Sequence, residues 1–385
     1  MAEPPDLRRP RFSFAWSGFA FLALLTLVVI GASALPQLFR PAGQSAGAGL
    51  PSGCVSQQQR TFNLPSLKGL NYGEPKTISG GWLGSRWLRS GTLYEAGWEA
   101  ARPQLEADLN FIGSHNLGKL LRVFIGLDQL IVWNASTGFV RFDDPSIEHF
   151  QEALDIFDAH HVKVIAVLFD QEERSSPGNF HFDALDGQHQ AMRANYLRAV
   201  DEFMRRFGSR STIAAWDLFN EAYNSLGQEG GLPPPTSGSS PVSPNYPDQV
   251  VRPWIQDLYR AAKCAVPDAW FTVSDTTDLY WKNPPDPSHY DGALDFYDIH
   301  VYDDNPSPKA WSKYLHKPFI MGEVGGDINR GFNDQAVNSH VVGFWLQHAR
   351  SLGVSAVLAH AAGGEIYSLR TDSLTPTGQV IQQSP

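Results

Sequence analysis

The chain has 385 residues and a formal net charge of −10, which excludes the basic face that a nucleic-acid backbone requires. A hydrophobic fraction of 42% suffices for a sizeable packed core and excludes a globally disordered chain.

The N-terminus comes first. Arg8, Arg9 and Arg11 precede an uncharged run from Phe14 to Leu35, rich in Phe, Leu, Val and Ile. At about 22 residues the run is long enough to cross a bilayer, and the basic flank favours a cytoplasmic N-terminus. Ala32-Ser33-Ala34 forms an A-x-A pattern that favours cleavage as a signal peptide, whereas the length of the run favours retention as a single-pass anchor. Either way, the remainder is expected outside the cytoplasm. Residues 37–60, with the run RPAGQSAGAGLPSG at 40–53, read as a flexible linker, and 61–385 as one domain. Cys54 and Cys264 lack C-x-x-C or His neighbours, so a zinc site is not expected. Two free thiols are the plainer reading. A disulfide tying the start of the domain to its interior is the alternative in an oxidising compartment.

From residue 60 onward, short apolar runs alternate with helical patterns. Strands are predicted at 67–72, 119–126, 162–169, 213–219, 270–274, 295–302, 318–323 and 354–360. KLLRVFIG (119–126) and VKVIAVLF (162–169) are nearly continuous apolar runs, as in strands buried on both faces. Helices are predicted at 99–115, 145–161, 186–208, 250–265, 308–316 and 333–352. The second opens with Asp144 as cap and Pro145 at its first position. Residues 226–249 read as a long Gly/Pro/Ser loop. Eight alternating strand–helix units specify a parallel sheet closed into an α/β TIM (β/α)8 barrel. An open doubly wound sheet is the runner-up, and LNYGEP lacks the glycine-rich turn it usually carries.

In such barrels function collects at the C-terminal strand ends. Here those ends carry Asn71, Tyr72 and Glu74; Arg122 and Asp128; Asp170, Gln171 and Glu172; Asn220 and Glu221; Asp275; His300 and Tyr302; Glu323; and His360. Glu221 and Glu323 each close an apolar strand, on opposite sides of the barrel mouth. A single such Glu is more often a solvated loop residue or half of an ion pair. Two facing each other suit glycosidic bond cleavage, one as proton donor and the other as nucleophile. Arg122 interrupts an apolar strand and demands a carboxylate partner. Tyr302 can donate to Glu323, and His300 can orient Glu221; either residue alone is more often structural. Eleven Trp and twelve Tyr mostly serve packing, but flat rings also stack on sugars.

WDLFNEAYN (216–224) resembles the fourth-strand Asn-Glu motif of the clan A glycoside hydrolases, the superfamily of cellulases and β-mannanases. DIHVY (298–302) resembles their sixth-strand His-x-Tyr, PFIMGEVGG (318–326) their seventh-strand nucleophile motif, and LLRVF (120–124) their second-strand Arg motif. The likeness spans roughly residues 64–380 and is nearest to glycoside hydrolase family 5. It implies Glu221 as acid/base, Glu323 as nucleophile and Asn220 at the 2-hydroxyl. Arg122 and Tyr302 would flank the nucleophile, and His300 would be the active-site His, with no metal or cofactor. Two departures stand out. AVLAHAAGG places His360 where relatives carry a Trp platform, and Phe169-Asp170-Gln171 stands where they carry a His or Asn. Substrate contacts are therefore expected from Asp170 and Trp281, with Trp82, Trp87, Trp133 and Tyr280 as further candidate platforms. The expected partner is a β-linked polysaccharide or oligosaccharide of mannan or glucan type, and the expected oligomeric state is a monomer. A transglycosylase on the same residues and a non-catalytic glycan-binding barrel are the alternatives.

Overall fold

Apolar strands and helices alternate along the chain in the predicted order, and all eight predicted strand positions are occupied. The computed structural model describes residues 54, 61–73, 75, 87–90, 97–134, 137–169, 190–222, 248–276, 287–302, 315–326, 334–360, 366–368 and 373–385. The strands are β1 (Lys68–Gly73), β2 (Leu120–Phe124), β5 (Lys163–Val167), β6 (Ile213–Asp217), β7 (Phe271–Thr272), β8 (Ser274–Thr276), β9 (Tyr297–Tyr302), β10 (Phe319–Gly325) and β11 (Val354–His360), with a hairpin of β3 (Ile131–Asn134) and β4 (Gly138–Phe142) after β2. Every neighbouring pair in the large sheet is parallel, in the order β7-β6-β5-β2-β1-β11-β10-β9-β8. The predicted fifth strand is broken at Val273. Its first half, β7, bonds to β6 and its second half, β8, bonds to β9, so one broken strand carries the sheet round into a barrel. The open doubly wound alternative has no such return path.

The helices are α1 (Trp98–Ser114), α2 (Asp144–Ala159), α3 (Gln190–Phe207), α4 (Asp248–Ala265), α5 (Gln335–Leu352) and α6 (Pro376–Gln383). On α1 the buried residues Trp98, Ala101, Leu105, Asp108, Leu109 and Ile112 recur at three and four, the stripe that faces a sheet. The cap of α2 is Asp143, not the predicted Asp144. Asp143 is extended and its carboxylate accepts from Ser146 N, whereas Asp144 already belongs to the helix. Gly353, at φ 75°, ends α5 in the left-handed conformation and turns the chain directly into β11. The hairpin and α6 were not predicted. Lys68 on β1 fastens α6, its Nζ donating to Ile381 O (3.1 Å) and Ser384 O (2.6 Å). Hence a lysine can be buried here, because it serves the carbonyls left open at a helix end.

Inside the barrel, side chains follow the two-residue strand period. Leu120, Ile165, Ala215, Phe296, Ile320, Ala356 and Leu358 form a separate apolar cluster, with Phe62 and Leu64 packed against it. Two residues further along three of these strands stand Arg122, Asp217 and Asp298, all buried. The barrel is therefore filled by an oily layer below and a charged layer above, at the C-terminal strand ends. Cys54 and Cys264, 210 residues apart in the chain, form a disulfide, which corrects the free-thiol reading. Among the described residues no helix is long and apolar enough to cross a membrane; residues 14–35 lie outside them. Residues 308–314 of the predicted helix at 308–316 and almost all of the 226–249 loop also fall outside the described residues.

Candidate active site

The charged layer is organised by one side chain. Arg122 on β2 is fully buried. Its Nη1 donates to Glu323 Oε1 at 2.6 Å, and its Nη2 donates to Asp217 Oδ2 (2.5 Å), Asn220 Oδ1 (2.7 Å) and Ser274 Oγ (3.0 Å). Asp298 Oδ2 lies 3.6 Å from its Nε. A buried guanidinium is tolerated because its planar fork meets carboxylates from several strands. Those carboxylates drive its proton affinity above the ordinary arginine value despite burial.

Glu323 reaches this layer through a register irregularity. Between Ile320 and Glu323 the pairing of β10 with β9 shifts, and a second shift against β11 falls between Met321 and Val324. An extra residue there re-aims the side chain, so that both Ile320 and Glu323 face inward although three residues apart. Glu323 Oε1 accepts from Arg122, and Oε2 accepts from the Tyr302 hydroxyl. Burial alone would raise its pKa. The charges of His300, Arg122 and His360 and the Tyr302 hydrogen bond outweigh burial and bring it down to about 2. Burial, and then the same anion, push the Tyr302 phenol well above its ordinary value.

Glu221 follows β6 at φ 48°, a left-handed conformation unusual for a non-glycine residue. Such strain concentrates at functional sites. Its backbone N–H donates to Ser274 Oγ (3.2 Å), which supports the turn. Its Oε1 pairs with His300 Nδ1 at 2.8 Å. His300, fully buried, also lies 3.7 Å from Glu323 Oε2. Burial would lower its pKa, but the Glu323 charge and the Glu221 hydrogen bond raise it to about 9. One carboxylate oxygen each of Glu221 and Glu323, and a His300 nitrogen, all lie within 4.8 Å of one another. Those three types of atom can ligate a metal ion. Both Glu323 oxygens are, however, already engaged by Arg122 and Tyr302, so the protein's own donors neutralise the site.

The structure thus brings together six residues singled out in the sequence: Arg122, Asn220, Glu221, His300, Tyr302 and Glu323. His360 stands beside them, its Nε2 3.8 Å from Glu323 Oε2 and its ring edge-on to Tyr302. Trp87 is not a platform. It is fully buried against Trp98, and its indole N–H is spent on Phe124 O (2.9 Å). Trp133, half-buried, packs edge-on to Tyr196 against the core. Tyr72 also turns outward, its hydroxyl donating to Asp108 on α1. Asp170, Trp281, Trp82 and Tyr280 lie outside the described residues. Asp217, Ser274 and Asp298 were not foreseen. The available signal was a carboxylate inside an apolar strand, IAAWD and YDIHVY, the same signal that marked Arg122.

No family model matches the chain, and no curated protein matches it in sequence. Solved structures do. The β-mannanase of the blue mussel Mytilus edulis superposes with a TM-score of 0.57 at 16% identity, covering 83% of this chain and 94% of that one. The endo-1,4-β-mannanase of Eisenia fetida gives 0.60 at 17%, covering 87% and 94%. A GH5_18 protein of Streptomyces cattleya, determined in complex with Manβ1-4GlcNAc, gives 0.57 at 14%, covering 82% and 80%. At these identities the likeness shows the fold alone, a (β/α)8 barrel.

Proposed function

We propose that this chain is a retaining glycoside hydrolase related to family 5 that cleaves a β-linked glycan, with Glu323 as nucleophile and Glu221 as acid/base. One observation carries this reading: two carboxylates in different surroundings have oxygens within 4.8 Å of each other. Retaining enzymes hold the pair about 5–5.5 Å apart, and inverting enzymes leave about 6.5–9.5 Å for a water molecule. Glu323, held ionised by Arg122 and Tyr302, attacks the anomeric carbon. The bond to the leaving oxygen breaks as Glu221 gives that oxygen its proton. Water then attacks the same carbon and yields a proton to Glu221, and the glycosyl ester breaks to restore the Glu323 carboxylate. Arg122 engages the carbonyl oxygen of Asn220, which orients the amide NH2 as donor to the sugar 2-hydroxyl.

The mannanase neighbours favour a mannan-type substrate over a glucan. Asp170 and Trp281 remain proposed substrate contacts. An extracytoplasmic location, anchored or secreted, is supported by the apolar run 14–35 and by the Cys54–Cys264 disulfide, which suits an oxidising compartment.

The test is a polysaccharide panel on the full chain beside Glu221→Gln and Glu323→Gln. Reducing sugar released by wild type, lost in both folded variants and appearing first as the β-anomer, is the expected result. First release of the α-anomer would overturn retention. Products longer than the substrate would mean transglycosylation, and glycan binding without release would mean a non-catalytic barrel.

A further inference from the structure

Asp298 lies on β9, two residues before His300, and has no place in the reaction above. It is fully buried, and among the described residues neither of its oxygens has a hydrogen-bond partner. Oδ2 is 3.6 Å from Arg122 Nε and Oδ1 is 3.9 Å from His300 Nε2, and these two nitrogens are likewise without acceptors. Four unsatisfied buried polar atoms thus face one another in two pairs. A buried polar group left unpaired is strongly unfavourable, and a shift of about 1 Å brings either pair to hydrogen-bond length.

The chain makes room for this carboxylate. A Cβ at position 322 would fall 2.0 Å from Asp298 Oδ1, so the carboxylate occupies the space that Gly322 leaves open. The charged groups facing Asp298 are Arg122 from β2, Asp217 from β6, Glu323 from β10 and His300 on its own strand; Ser274 of β8 is its register partner. Burial pushes Asp298 up to about 7, with Asp217 and Glu323 adding to the rise and Arg122 and His300 opposing it.

We propose that Asp298 is a positioning residue: its carboxylate holds a proton on His300 Nε2, which leaves Nδ1 to serve Glu221 and ties the charge of the Glu221–His300 pair to a buried anion. The second nitrogen of a working imidazole is commonly fixed in this way by a carboxylate behind it. The effect on turnover rests on the glycoside hydrolase reading, whereas the state of the imidazole does not.

Long-range proton–nitrogen spectra of the full chain, with 15N-labelled histidine and His300→Gln for assignment, read both nitrogens as pH is raised. In wild type, His300 is expected to lose the Nδ1 proton near pH 9 and keep Nε2–H. In Asp298→Asn the midpoint falls by about one unit, a tenfold loss of proton affinity. A wild-type imidazole protonated at Nδ1 alone, or an unmoved midpoint in the folded variant, overturns the proposal. Should Asp298→Asn fail to fold, the wild-type tautomer decides. With nitrophenyl β-mannobioside as probe, the alkaline limb of kcat/KM is expected to move to lower pH at unchanged KM. An alkaline limb that stays in place would remove Asp298 from the acid/base pair. No turnover of this probe by wild type, together with no release from any glycan of the panel, would sink the hydrolase reading and leave the imidazole test standing.

Discussion

Arg122 meets Asp217 at 2.5 Å, Glu323 at 2.6 Å and Asp298 at 3.6 Å, three carboxylates from three other strands. Removing the cation would leave all three in a dry interior. Arg122→Ala is therefore expected to lose about 3–5 kcal/mol of unfolding free energy, read by urea titration. Tyr302→Phe makes a gentler change. It deletes the hydroxyl that donates to Glu323 while keeping the ring. A lost donor to the charged form raises the carboxylate pKa above its present value of about 2. The acid limb of kcat/KM should then move to higher pH with little loss of melting temperature. An unmoved limb would mean that the charges of His300, Arg122 and His360 suffice to keep Glu323 ionised.

Strand β10 contributes by its irregularity. A regular strand of two-residue period that places Ile320 inward would turn Glu323 outward, and the shift between them turns it back. Gly322 lies within that shift, where any added Cβ meets the Asp298 carboxylate at 2.0 Å. Gly322→Ala is expected to cost about 1–3 kcal/mol of stability by overpacking. The loss should show as a lower thermal midpoint, and a variant as stable as wild type would mean that Asp298 can move aside. The broken fifth strand works similarly: its interruption at Val273 precedes Ser274, whose hydroxyl accepts from both Arg122 Nη2 and the Glu221 N–H.

The barrel as a whole is closed by strand pairing and tied by the disulfide, which links Cys54 to Cys264 on α4. Because it spans 210 residues of separation, Cys54→Ser should destabilise the fold by about 2–5 kcal/mol in denaturant. Wild type under reductant should match it. Stability should also depend on pH through the site. His300 has a folded pKa of about 9 against 6.5 unfolded, so its contribution is complete below 6.5 and is lost as pH rises through 9. Glu323, lowered from 4.5 to about 2, contributes above 4.5 and loses that contribution as pH falls through 2. Calorimetry should show a melting temperature that falls between neutral pH and pH 9, with that slope absent in His300→Gln.

By itself the sequence determined the strand order, the barrel and most of the charged cluster. Period and apolar runs follow from local chemistry, and a charge inside an apolar strand announces a buried partner. Arg122, Glu221 and Glu323 were legible on that ground, supported by the motifs around them. Only the tertiary structure decided which partners meet. Asp217 and Asp298 carried the same signal, yet nothing local says that one guanidinium would gather them. Trp87 and Trp133 were open to packing or to a platform role, and only the fold shows Trp87 in the core and Trp133 partly buried against it. The inward turn of Glu323 depends on a register shift against two neighbouring strands. The Cys54–Cys264 bond joins residues 210 apart in the chain. Each is a relation between segments distant in sequence, and such relations become physical only when folding brings the segments together.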